Sequence, residues 1–193
     1  MRTLALAAVL SVFPAFTGQM TKGERQRLLA HFEMTETWIS DEIAAMSKAQ
    51  LEFHSAPDVW SPKDVLEHLA IAEAQYWQSL QDSLKAPASG YKAEAKDEGI
   101  LFYGIDRTNR QKTGDARVPK GQYETADQAL QAWKKLRQTM KNYVASTDDD
   151  LRGRQLKDGN MDLYQWLLMI STHSQRHILQ VMEIKHNAKF PSK

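Results

Sequence analysis

The sequence predicts an all-α protein, a four-helix bundle with a long crossover between its second and third helices. Three observations carry this. Four segments of about 20 to 27 residues place apolar side chains at the three-and-four spacing of one helical face. No stretch alternates with the period of a strand. A Gly- and Pro-punctuated stretch of roughly 40 residues, far longer than the usual ~12 to 15 of an idle loop, separates the second segment from the third. The chain has 193 residues, 42% of them apolar, enough for one domain with a real core. Lys and Arg number 25 against 24 Asp and Glu, so no basic stripe marks a nucleic-acid partner. Cysteine is absent, which excludes disulfides, thiolate metal sites and a cysteine nucleophile and leaves His, Asp and Glu as metal ligands.

At the N-terminus, Arg2 precedes an apolar block over 4–13, after which come Pro14, Ala15, Thr17 and Gly18. This pattern reads as a secretory leader over 1–20, with the bundle domain occupying 21–193. The apolar block is well short of the roughly 20 residues that cross a bilayer, so no permanent span is expected. Export places the mature chain in the periplasm or outside the cell. The alternative is that these residues begin the first helix and the protein stays cytoplasmic.

The first helix is expected over 22–46, on Leu28, Phe32, Thr35, Ile39, Ile43 and Met46. The second opens at Ser61-Pro62-Lys63-Asp64, where Ser61 suits the N-cap, Pro62 the first turn and Asp64 the third helical position. Trp60 and Val65 can close a staple across that cap, and the helix runs to about 84 without Gly or Pro. Thr125 and Gln128 form a capping box for the third helix, whose apolar face is Ala129, Trp133, Leu136, Met140 and Tyr143. The fourth follows Asp158-Gly159-Asn160, with Leu163, Trp166, Ile170, His173, His177, Val181 and Ile184 as its inward seam. A connection as long as 85–123 permits the second and third helices to run parallel, with a short helix over 94–106 covering the core.

Of six histidines, His68, His173 and His177 fall on inward faces. His173 and His177 are four residues apart, about 6 Å between Cβ atoms, close enough to chelate one ion. Two imidazoles on an apolar seam need partners for their nitrogens, and a divalent cation supplies one for both. His68 adds a third nitrogen if the second and fourth helices are neighbours. The alternative is three core imidazoles satisfied by the protein. His31, His54 and His186 lie off the seam or in a basic last turn and receive no role. Asp64, Gln75 and Gln180 share the faces of these histidines and are candidates to orient ligands or face a substrate. Arg176, with Arg107 and Arg110 in the crossover, is a candidate for pairing with the crossover or with an anionic group. Glu67 and Glu73 read as surface carboxylates. No residue identifies itself as a general base.

The chain resembles the DinB-like, or YfiT-like, family of metalloenzyme helical bundles. The resemblance spans 28–185 and rests on Trp60-Ser61-Pro62, then Glu67-His68-Leu69-Ala70 and Glu73, then the run from Gln165 to Ile170 leading into His173-Ser174-Gln175-Arg176-His177. It implies a bundle whose second and third helices are joined by a long connection, and a divalent metal held by His68, His173 and His177. It further implies a metal-dependent hydrolase, or a thiol S-transferase using a low-molecular-weight thiol such as bacillithiol or mycothiol. Nitrogen ligands point to zinc or nickel first, with iron or copper as the other candidates. The competing class is a non-catalytic bundle that serves as a binding module or homodimer, with a structural ion or none. The leader reading has a direct check: after expression in a secreting host, N-terminal sequencing is expected to find the mature chain starting between Gly18 and Thr21, and an intact Met1 would overturn it.

Overall fold

The computed structural model of the protein describes residues 18–109, 112–157 and 159–192. The apolar block at 4–13, Arg110 and Asp158 lie outside the described residues. Among the described residues the chain forms helices α1 (Lys22–Ala44), α2 (Lys48–Leu51), α3 (Pro62–Leu84), α4 (Asp97–Ile105), α5 (Ala126–Ser146) and α6 (Leu163–Lys185), with a 3-10 turn at Asp115–Arg117. No strand occurs among the described residues. No described helix is long and apolar enough to cross a membrane.

Each long helix starts where its sequence places a side chain that can accept from the exposed N–H groups of the first turn. Capping boxes join Thr21 to Glu24, Ser61 to Asp64, Thr125 to Gln128 and Asp162 to Gln165. The first helix stops two residues earlier than its apolar pattern suggests, at Ala44, because Ser47 caps a new turn, α2, with Gln50. The helix expected over 94–106 is α4, and it packs on α6. Gly104 permits this approach: a Cβ there would lie 3.0 Å from the Thr172 Cβ and 3.2 Å from its carbonyl oxygen. With α4 on its outer side, α6 is buried well beyond the single seam its spacing suggests, including Tyr164, Leu167, Leu168, Thr172 and Arg176.

Side-chain pairs along the helices set the directions. Lys63 bonds Glu124 just before α5, Glu73 meets Arg137, and Trp77 meets Tyr143, so α3 and α5 ascend together and are parallel. His31 with Ser171 and Glu42 with Lys185 make α1 and α6 parallel as well. The Trp166 indole donates to the Tyr76 carbonyl while His173 meets His68, which makes α3 and α6 antiparallel. Arg25 donates to the Val144 and Thr147 carbonyls and Lys141 pairs with Glu33, so α1 and α5 are antiparallel. Parallel neighbours cannot be joined by a tight turn, and the crossover at 85–125 exists because it must return along the bundle's full length. Arg152 anchors its far end, bonding Glu24 at 2.5 Å, Asp97 at 2.6 Å and Asp162 at 3.0 Å while lying 3.8 Å from the Tyr164 ring centroid.

The core has two apolar halves. Leu28, Phe32, Leu80, Met140, Val144 and Leu167 belong to one; Ile39, Val65, Leu69, Trp133, Ile178 and Val181 belong to the other. A polar layer lies between them. Arg137 donates to both Glu73 oxygens, at 2.6 and 2.5 Å, and to Ser174 at 2.5 Å, and Ser174 in turn donates to Glu73. Thr35 of α1 accepts from Arg137 at 3.4 Å and lies 3.2 Å from Ser171. The guanidinium also sits 4.7 Å from the ring centroids of Phe32 and Trp133. All four long helices therefore contribute to one charge pair.

This corrects the surface reading of two carboxylates. Glu73 is fully buried on Arg137, and Glu67, also buried, accepts from the Lys120 and Gln122 N–H groups at 2.6 and 3.1 Å. Their helical faces are covered by α5 and by the crossover, which no periodicity within α3 reveals. Removing one member leaves a buried charge without its partner, so Glu73→Ala is expected to cost about 3 to 5 kcal/mol in urea denaturation, with Glu73→Leu/Arg137→Leu recovering much of it. A loss below about 1 kcal/mol would mean the layer is hydrated rather than sealed.

Candidate metal centre

His68 lies on α3, and His173 and His177 lie one turn apart on α6, the antiparallel neighbour. The packing of the two helices turns all three rings toward one point. The His173 Nε2 is 3.3 Å from the His68 Nε2 and 3.2 Å from the His177 Nε2, and one nitrogen from each ring falls within 4.8 Å of the others. His68 and His173 are buried and His177 is half-buried.

Hydrogen bonds behind the rings decide which nitrogens carry protons. The His68 Nδ1 is 2.8 Å from the carbonyl oxygen of Arg117, which can only accept, so Nδ1 holds the proton and Nε2 presents a lone pair. The His177 Nδ1 is 2.9 Å from the Gln180 Oε1 and is fixed the same way. The His173 Nδ1 is buried with no hydrogen-bond partner among the described residues, so this ring's tautomer is not set from behind. Two bare lone pairs thus face a third ring at close range, an arrangement that a cation stabilises. The spacing fits one: nitrogens bound to zinc at ~2.0 to 2.1 Å with tetrahedral angles lie about 3.3 Å apart.

Electrostatics keep the rings neutral, the form that binds a metal. Burial, reinforced by the neighbouring imidazoles, pushes His173 and His177 well below the ordinary imidazole range; burial also lowers His68, with the Arg117 charge adding to it. Trp60 covers the outer side, its ring centroid 4.7 Å from that of His68 and 6.1 Å from that of His177. Tyr76 stands edge-on to His173 at 5.3 Å. The cluster opens into a cleft of about 720 Å³.

The other residues singled out from sequence divide. Gln180 orients His177, as described. Arg176 donates to the Tyr103 carbonyl at 3.2 Å and to the Asn109 carbonyl, clamping the crossover, and it also lines the cleft. Arg107 is held by Glu183 through two bonds of 2.9 and 2.8 Å. Asp64 and Gln75 do not reach the cluster. Asp64 is consumed by the α3 cap, accepting from the Ser61 N–H at 2.9 Å, and the Gln75 amide donates to the Ala116 carbonyl at 3.1 Å. Among the residues given no role, His31 is bonded to Ser171 at 2.7 Å, inside the polar layer rather than in solvent. Sequence reasoning missed the Arg117 carbonyl, which carries no residue signature. It placed Trp60 in the staple before the second helix and did not single out Tyr76, because neither residue type is a usual metal ligand.

The chain belongs to the DinB superfamily, whose family model matches residues 21–181. A relative from Bacillus subtilis (strain 168), the uncharacterized protein YuaE, is 25% identical over 153 residues, covering 78% of this chain and 91% of that protein. The solved structure of YfiT from Bacillus subtilis, described as a probable metal-dependent hydrolase with an unusual four-helix bundle topology, superposes with a TM-score of 0.57. It is 18% identical and covers 86% of this chain and 88% of that one, a likeness of fold.

The depressed imidazoles imply a pH dependence. Each protonates near 6.5 in the unfolded chain but resists protonation when folded, so below that value the unfolded state binds more protons. Stability of the chelator-treated protein is therefore expected to be constant from about pH 8 to pH 7 and to fall as the pH drops from about 6.5 to 5, with a shallower fall in His173→Phe. Urea midpoints across that range check it; an identical slope in the variant would contradict the assignment.

Proposed function

From membership of the DinB superfamily and the three converging imidazoles, we propose that this protein is a divalent-metal-dependent hydrolase whose ligands are His68, His173 and His177. One observation carries the reading: the His173 Nε2 lies 3.3 Å from that of His68 and 3.2 Å from that of His177 in the lining of a cleft, and the latter two are left without protons by acceptors behind their rings. A divalent cation there, zinc or nickel first by the softness of the donors, would supply Lewis acidity that activates water or a thiol.

The remaining work falls to the chain. The Arg117 carbonyl and Gln180 hold two ligand rings in register, and groups in this position raise affinity as well as fix geometry. Trp60 limits water access from one side. Tyr76 accepts a hydrogen bond from Arg117 Nη1 at 3.0 Å, and burial raises its phenol above the ordinary range, so the hydroxyl keeps its proton and can donate to negative charge developing on a substrate oxygen. The description of YfiT as a probable metal-dependent hydrolase supports the reaction class.

Elemental mass spectrometry of protein purified without chelator is expected to find about one transition metal per chain, lost in His68→Ala and in His173→Ala, with roughly ten-fold weaker binding in Gln180→Ala. Hydrolysis of 4-nitrophenyl esters should follow the metal. A wild type that binds neither zinc nor nickel at neutral pH would leave three core histidines and a non-catalytic bundle.

A further inference from the structure

The cleft above the imidazoles carries more positive charge than its carboxylates balance. Arg107, Lys112, Arg117 and Arg176 line it, against Asp58 and Glu183. Glu183 is engaged by Arg107. Among the described residues no carboxylate lies within 4.0 Å of Lys112, Arg117 or Arg176.

The groups these two arginines hydrogen-bond are neutral, and the Asp106 carboxylate acts on Arg176 only from beyond ion-pair distance. Arg117 gives one N–H to the Tyr76 hydroxyl, and its guanidinium lies 5.3 Å from the Tyr76 ring centroid. Arg176 donates to two carbonyl oxygens and lies 4.9 Å from the Tyr103 ring centroid. Arg176 is buried and Arg117 half-buried, so water screens their charges only in part. Their fields reach the imidazoles: Arg117 acts on His68 and His173, and Arg176 on His177. A dication on the histidines would add to this excess. An anion bound in the cleft would offset this excess. The rest of the lining is mixed, with the Trp60 and Tyr103 rings, Val59 and Ile184 beside Gln180 and Asn187.

We propose that the cleft binds a small organic oxyanion, a carboxylate or phosphate, with the anion on Arg117 and Arg176 and its organic part alongside the aromatic rings that line the same cleft. This deepens the hydrolase reading and rests on it for the reacting end, because an anion on Arg117 lies one side chain, Tyr76, away from His173. The subsite itself needs no metal. A guanidinium presents paired N–H donors that match the two oxygens of a carboxylate or phosphate.

Calorimetric titration of the full chain, as purified and after chelator treatment, with benzoate, phenylphosphonate and the neutral isostere benzamide tests this. At least one anion is expected to bind the chelator-treated chain roughly ten-fold more tightly than benzamide, and Arg117→Gln, which keeps the backbone carbonyl on His68, is expected to lose most of that preference. Lys48→Gln, at an exposed position of α2, should bind as wild type does. Preference for benzoate assigns a carboxylate substrate, and preference for phenylphosphonate a phosphate. Benzamide binding as well as both anions would overturn the proposal without any variant, as would an Arg117→Gln chain that folds and retains the preference. A chain that binds no metal but selects anions through Arg117 would overturn the hydrolase reading alone.

Discussion

The Glu73–Arg137 pair is the constraint from which the rest of the architecture follows. A carboxylate and a guanidinium taken fully out of water must satisfy each other and every remaining donor. Here that requirement recruits Ser174 from α6 and Thr35 from α1. Apolar halves above and below could each tolerate small shifts of one helix on another, whereas a bidentate pair with a third partner cannot. The register of the four long helices is set at this layer. Ser174 adjoins His173, so the bonds that fix the charge pair also fix the α6 turn that presents the first of its two imidazoles.

The parallel relation of α3 and α5 makes the crossover obligatory, and the crossover is also part of the site. Its 3-10 turn brings the Arg117 carbonyl to His68 and the Arg117 guanidinium to Tyr76. Its N–H groups at Lys120 and Gln122 are taken by buried Glu67, which ties that segment to the helix bearing His68. The helices thus supply the ligating nitrogens on rigid supports, while the connection supplies the acceptor that sets a tautomer and a share of the charge around the cleft. A change at the crossover is felt at His68 without touching the helix that carries it.

Charge in the cleft is arranged in opposition to the rings beneath it. Burial and nearby guanidinium groups keep the imidazoles neutral, which readies them for a cation, and the same guanidinium groups would repel that cation. The two tendencies are reconciled when an anion occupies the space between them. Metal and anionic ligand would then favour each other's binding, a coupling that arises from electrostatics alone.

By itself the sequence determined the fold class, the positions of the long helices, the length of the crossover and the three histidines on inward faces. These are local: caps and apolar spacing operate over three and four residues, and an HxxxH pair is legible from its own helix. Tertiary structure alone decided what each inward polar group meets. Glu73 finds Arg137 across 64 positions and His68 finds the Arg117 carbonyl across 49, partners that no spacing on α3 encodes. Asp64 and Gln75 share the sequence phase of His68, yet a cap and a loop carbonyl claim them first. Helical phase gives the direction a side chain leaves its helix; which element arrives there depends on packing between segments distant in the chain, and that is fixed only when the bundle closes.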